Sequence, residues 1–104
     1  MIKNGMRPVH PGEILREEYL VPLKMSANAL ALALNVPATR IHEIIKERRG
    51  ITADTALRLA QYFDSTPEFW LNLQAAFDLR QAEIAAGKSI RRQIMPREQT
   101  AAIC

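Results

Sequence analysis

Residues 26–50, SANALALALNVPATRIHEIIKERRG, hold two short helical patterns separated by three residues that neither helix can absorb. In the first, Leu30, Ala31 and Leu34 fall on one face at helical spacing. Asn35-Val36-Pro37 then interrupts the pattern. Asn tolerates the left-handed backbone that ends a helix, and proline suits the first turn of the next. In the second pattern Ile41, Ile44 and Ile45 share a face, while Ala38, Thr39, Arg40, Glu43 and Lys46 lie across from it with no core to enter. The small Ala31 lets two helices cross closely at such a turn. This is the layout of a helix-turn-helix, a unit whose second helix lies in the major groove of DNA.

A chain of 104 residues supports one core but not two. It is 48% hydrophobic with only three Phe, two Tyr and one Trp, and it lacks strand-like alternation, which points to an aliphatic all-α fold. Pro11 and Glu13 open a first helix near 11–20, which Pro22 ends. Ile14, Leu15 and Tyr19 point inward from it, and Arg16, Glu17 and Glu18 face water. Ser26 caps a second helix at about 26–34. The third runs about 37–48, with Gly50 placed to close it. Thr52 caps a fourth, with Asp54 in its first turn and Ala56, Leu59, Ala60 and Phe63 on one face. Thr66-Pro67-Glu68 opens a fifth that runs to Ala86 and closes at Gly87. The expected organisation is therefore an N-terminal arm at 1–9, a helix-turn-helix domain at 10–86 and an extended or partly disordered tail at 87–104.

The net charge of +3 matters less than its distribution. Basic residues cluster after the second helix of the unit, residues 51–87 are acidic, and the tail turns basic again, so the end of the third helix is where backbone phosphates would lie. Several function classes are excluded on this reading. No apolar run reaches the roughly 18–20 residues that span a membrane, and MIKNGMRPVHPGE lacks the apolar core of a secretory signal. One cysteine, Cys104, permits no intrachain disulfide, which fits a reducing cytoplasm. His10 and His42 belong to no His/Cys cluster, and there is no Gly-rich phosphate loop or nucleophile with a plausible base. No catalytic residue, cofactor or metal is expected.

Ala38, Thr39, Arg40 and Glu43 occupy the first two turns of the third helix and are the candidates for base contact. Arg40 can bond guanine O6 and N7 together; the competing reading is a pair with Glu43 or Glu47 on its own helix. Ser26 and Asn28 at the head of the second helix, and Lys46, Arg48 and Arg49 after the third, are the candidates for phosphate contact. Phe69, Trp70, Leu73 and Phe77 supply either core packing or a dimer seam.

Three stretches also carry a family resemblance: HPGEILREEYLVPL at 10–23, the unit ending in RIHEII at 40–45, and ITADTALRLAQYFDSTPEFWLNLQ at 51–74. Together they resemble the HigA-type antitoxins, also called virulence-associated protein I, within the Cro/cI (lambda repressor-like) helix-turn-helix repressors. FDLRQA and IMPR extend the likeness to about residue 97. Two departures are Asn35, where such turns more often have Gly, and Ala38-Thr39, which bears on the operator sequence. The resemblance implies a five-helix DNA-binding domain that acts as a homodimeric repressor on the double-stranded operator of its own operon. It also implies neutralisation of a RelE-like (HigB-type) toxin, a ribosome-dependent endoribonuclease. Two alternatives stay open: a phage- or plasmid-type repressor without a toxin partner, and a toxin-neutralising module with little DNA binding.

Overall fold

The computed structural model describes residues 7–98; the start of the expected arm, residues 1–6, and the end of the expected tail, residues 99–104, lie outside them. Five helices and no strand make up the described residues. The first, α1 at 11–23, is continuous but not uniform: an α-turn at Pro11–Ile14, a π-helical stretch at Leu15–Leu20 and a last α-turn at Val21–Leu23. Then follow α2 (Ala27–Leu34), α3 (Ala38–Ile45), α4 (Ala53–Phe63) and α5 (Pro67–Gln93). The α2–α3 pair is held by α4 on the side of α2 and by α1 on the side of α3, and α5 packs across α1 and α4.

Aliphatic side chains fill the centre. Leu15, Leu30, Ile41, Ile44 and Leu59 are fully buried, and the small Ala31 and Ala56 are buried with them in the same core. One large residue joins them: Trp70 of α5 is fully buried, with ring centroids 5.1 Å from Tyr19 and 5.0 Å from Phe69. A buried tryptophan removes roughly 150–250 Å² from water, so it contributes heavily to holding α5 on the bundle.

Local chemistry explains most helix starts. Ser26 Oγ accepts from the Ala29 amide at 3.0 Å, Thr52 Oγ1 from Thr55 at 3.3 Å and Thr66 Oγ from Phe69 at 3.2 Å, as the sequence predicts. Helix ends follow a common device. Lys24, Asn35, Glu47 and Asp64 all adopt the left-handed conformation, with φ of 54°, 59°, 63° and 56°. After each one the next amide reaches back to the same helical position: Met25 to Leu20, Val36 to Ala31, Arg48 to Glu43 and Ser65 to Ala60. These are Schellman closures made without glycine.

Three expectations need correction. Pro22 does not end α1, because the preceding wide turn bonds five residues back, Val21 to Arg16, and accommodates a residue without an amide proton. Gly50 does not close α3; the helix ends at Ile45 and Glu47 makes the reversal. Gly87 does not end α5, which continues to Gln93, so the extended stretch begins only at Ile94. One glycine costs a helix only about 1 kcal/mol, and Ala85 and Ala86 before it favour the helix. Arg91 and Arg92 in the last turn complement the helix dipole.

Candidate nucleic-acid interface

The position of α3 is set from behind. Gly12 lies so near the end of α3 that a Cβ on it would stand 1.8 Å from the Ile44 carbonyl oxygen. Next to that contact the Arg16 guanidinium donates to the Ile45 carbonyl and lies 3.6 Å from the Glu47 carboxylate. Arg16 is thus not the water-facing residue that the periodicity of α1 predicts; it satisfies one of the carbonyls that the last turn of α3 leaves open, that of Ile45. His10 fixes the start of α1. Its buried ring accepts from the Gly12 amide through Nδ1 at 2.8 Å and meets Phe77 edge-on at 4.8 Å. Burial lowers the His10 pKa below its ordinary 6.5, against smaller upward pulls from Glu47 and Asp78. Glu13, three residues after His10, holds Arg7 through two bonds of 2.9 Å.

With its apolar side fixed, α3 turns its other side outward. Thr39 and Lys46 are exposed, and Arg40, His42 and Glu43 are half-buried around them. Ala38 is half-buried and packs against the core. The polar candidates are tied to neighbours. Arg40 Nη1 donates to Asp54 Oδ2 of α4 at 2.9 Å, and this pairing replaces the intrahelical one with Glu43 or Glu47 weighed from the sequence. Glu43 instead accepts from Arg49 at 3.1 Å. Asn28 and His42 join α2 to α3 through a 2.9 Å contact between Oδ1 and Nε2. Ser26 is exposed while it caps α2, and Lys46 and Arg48 are exposed where α3 ends. The structure thus ties Asn28 to α3 through His42 and Arg49 to Glu43, and it leaves Ser26, Thr39, Lys46 and Arg48 exposed on α2, α3 and the segment after α3. Among the five helices α3 alone starts without a side-chain cap.

The aromatic candidates divide differently. Trp70 is core, Phe77 packs on His10, Leu73 packs on the core, and only Phe69, at 39% exposure, reaches the surface appreciably. No group of three His, Cys, Asp or Glu among the described residues is placed to hold a metal ion, and no helix is long and apolar enough to cross a membrane.

Comparison with known proteins agrees with this geometry. Residues 15–71 match the helix-turn-helix family model. Virulence-associated protein I of Dichelobacter nodosus is 62% identical over 81 residues, covering 78% of this chain and 75% of that one. The structure of the Pseudomonas aeruginosa antitoxin HigA with the higBA promoter is 49% identical, with a TM-score of 0.86 over 88% of this chain and 100% of that one. This chain belongs to the HigA-type antitoxin family of helix-turn-helix proteins. Antitoxin GraA in complex with its operator is 53% identical, with a TM-score of 0.86 over 94% of this chain and 99% of that one. The family comprises non-enzymatic regulators.

Within the HigA-type frame, the HPGE stretch now has a physical role. His10 caps α1, Pro11 fills its first position and Gly12 lets α1 meet the end of α3. Sequence reasoning weighed His10 only as a metal ligand or base and missed the cap, although a polar residue directly before a helix-starting proline was the available signal. It also missed Arg58, whose Nη1 donates to the Leu34 carbonyl at 2.9 Å and closes the end of α2. Its Nε donates to Asp54 at 2.9 Å. Asp54 thus receives two guanidinium bonds, and these, Arg58 first and Arg40 second, hold its pKa below the usual carboxylate value.

Proposed function

We propose that this chain is a sequence-specific DNA-binding repressor and antitoxin that acts in the cytoplasm as a homodimer on the double-stranded operator of its own operon. In this reading it also neutralises a RelE-like, HigB-type mRNA-cleaving toxin. The observation that carries it is the likeness to antitoxins solved with promoter or operator DNA, with TM-scores of 0.86 over at least 88% of this chain. The outward polar face of α3 adds a physical reason: Thr39, Arg40 and Glu43 occupy the helix positions that meet base edges in helix-turn-helix proteins. Ala38 contributes at most a methyl contact. Ser26, Asn28, Lys46, Arg48 and Arg49 surround this face and contact phosphates.

Two modules read a near-palindromic operator with half-sites about 34–36 Å apart or a multiple of that. Because Trp70 is consumed by the core, the pairing surface lies on the outer part of α5. There Leu79, Ala82, Ala86 and Ile90 recur at helical spacing, with Leu79 63% and Ile90 48% exposed.

The test is binding of the full chain to DNA from its own upstream region and to random duplex at several salt concentrations. Arg40→Ala should cost about 1–3 kcal/mol on the operator and relax preference at one base pair. Lys46→Ala or Arg48→Ala should weaken all sequences alike and flatten the log–log salt slope by about one unit each. Equal affinity of the wild type for operator and random DNA would sink the repressor reading. Failure of co-expression to relieve the toxicity of a neighbouring basic reading frame would sink the antitoxin reading.

A further inference from the structure

Asp54 stands at a junction that the groove-facing residues do not by themselves explain. Its Oδ2 takes bonds of 2.9 Å from Arg40 on α3 and from Arg58 four residues along α4. Arg58 is itself anchored, because its Nη1 donates to the Leu34 carbonyl at 2.9 Å at the end of α2. A relay of polar contacts thus runs from the end of α2 through Arg58 and Asp54 to Arg40. We propose that Asp54 is the positioning residue for base reading by Arg40, holding that guanidinium in one orientation before DNA arrives. This inference rests on the repressor reading and names a specificity determinant within it.

The chemistry supports positioning rather than chance pairing. A guanidinium presents five donors in a rigid plane, so a carboxylate that binds Nη1 leaves Nε and Nη2 with protons to donate elsewhere. An unheld arginine loses rotamer freedom when it binds a base, and fixing the side chain beforehand reduces that loss. The Asp54 side chain is 55% exposed, yet its carboxylate is also bonded by Arg58 at 2.9 Å and so does not simply follow Arg40. Arg40 is correspondingly restrained, with its side chain 28% exposed.

The experiment is a double-mutant cycle on the full chain, with Arg40→Ala, Asp54→Ala and both together. The readout is affinity for the operator, for operators changed at each base pair and for random duplex. Thermal melting verifies that each variant is folded. Asp54→Ala should lower discrimination at the base pair read by Arg40 by about fivefold, the size expected for one rotamer-rich side chain set free. Affinity for random DNA should hold or rise, since a negative charge is removed. The effect should vanish in the Arg40→Ala background. Equal weakening on every sequence that persists in that background would make Asp54 a support of α4 and overturn the proposal. Tighter operator binding by Asp54→Ala would also overturn it, by making Asp54 a competitor of DNA for Arg40. Should the wild type itself fail to discriminate, the repressor reading falls and takes this one with it; a wild type that discriminates beside an unaltered Asp54→Ala profile overturns the Asp54 assignment alone.

Discussion

The place where α1 meets the end of α3 and the outer half of α5 are both helical, yet they differ in almost every other respect. At the α1–α3 junction polar groups are matched over short distances. His10 Nδ1 takes the Gly12 amide, Arg16 takes the Ile45 carbonyl, and Gly12 leaves no room for even a methyl group. Beyond Asp78, by contrast, no described residue of α5 is buried. A Cβ on Gly87 would meet only Arg91 at 3.5 Å and Glu83 at 3.9 Å, both on its own helix. One region spends its sequence on fixing a neighbour in close contact; the other leaves a helical surface uncommitted. Reading bases requires that first kind of construction, since a contact displaced by one ångström loses its geometry.

The sharpest way to break this contrast is Gly12→Ala. The added carbon has to displace a backbone oxygen rather than a flexible side chain, so the expected loss is about 3 kcal/mol. It should appear in urea denaturation as a lower midpoint with an unchanged slope. A change below about half a kcal/mol would mean that α1 is free to shift away from α3.

An intermediate effect is expected from acid. The folded His10 pKa is depressed by burial, so the unfolded chain binds its proton more readily. Stability from this group is therefore complete above the ordinary value near 6.5 and is lost as pH falls through 6.5 toward the lower folded value. Protonation at Nδ1 would also remove the acceptor for Gly12. Denaturation series between pH 7.5 and about 5 should show this decline, and His10→Asn, which keeps a capping oxygen, should flatten it. An equal slope in both proteins would place the acid sensitivity elsewhere.

The smallest effect belongs to the outer half of α5. Gly87→Ala should stabilise the helix by about 0.5–1 kcal/mol, because the site is helical and has room for the methyl. Hydrogen exchange of the amides around residue 87 is the measurement. Slower exchange confined to this segment would support an independently fraying end, whereas destabilisation would reveal a packed environment there.

How much of this was legible in the sequence depends on how local the cause is. Ser26, Thr52 and Thr66 act on amides three residues away, so their caps read directly. Asn35 was readable as a left-handed residue because its side chain is one of the few that tolerates that conformation. Lys24, Glu47 and Asp64 do the same at other helix ends, but neither Lys nor Glu advertises it, and Gly50 nearby drew the boundary to the wrong place. The outer face of α3 was visible because Ile41 and Ile44 define its opposite. Its internal pairings were not: Arg40 to Asp54 spans 14 positions, and Arg16 to Ile45 spans 29. Nothing in the local pattern distinguishes those arginines from solvated ones. Gly87 misled for a related reason, since a glycine signals possible termination while the residues around it decide whether the helix continues.

The outer half of α5 also alters how the molecule moves through a solvent. The protein measures 56 × 27 × 24 Å, and its radius of gyration is 17.6 Å, against about 13 Å for a globule of this length. A rod-like arm adds friction out of proportion to its mass. A single copy will elute early from a sizing column, imitating a larger species, and sediment slowly for its weight, imitating a smaller one. Column calibration against globular standards would therefore credit this chain with a partner whether or not one is bound, and only a mass-reading technique such as light scattering separates the two cases.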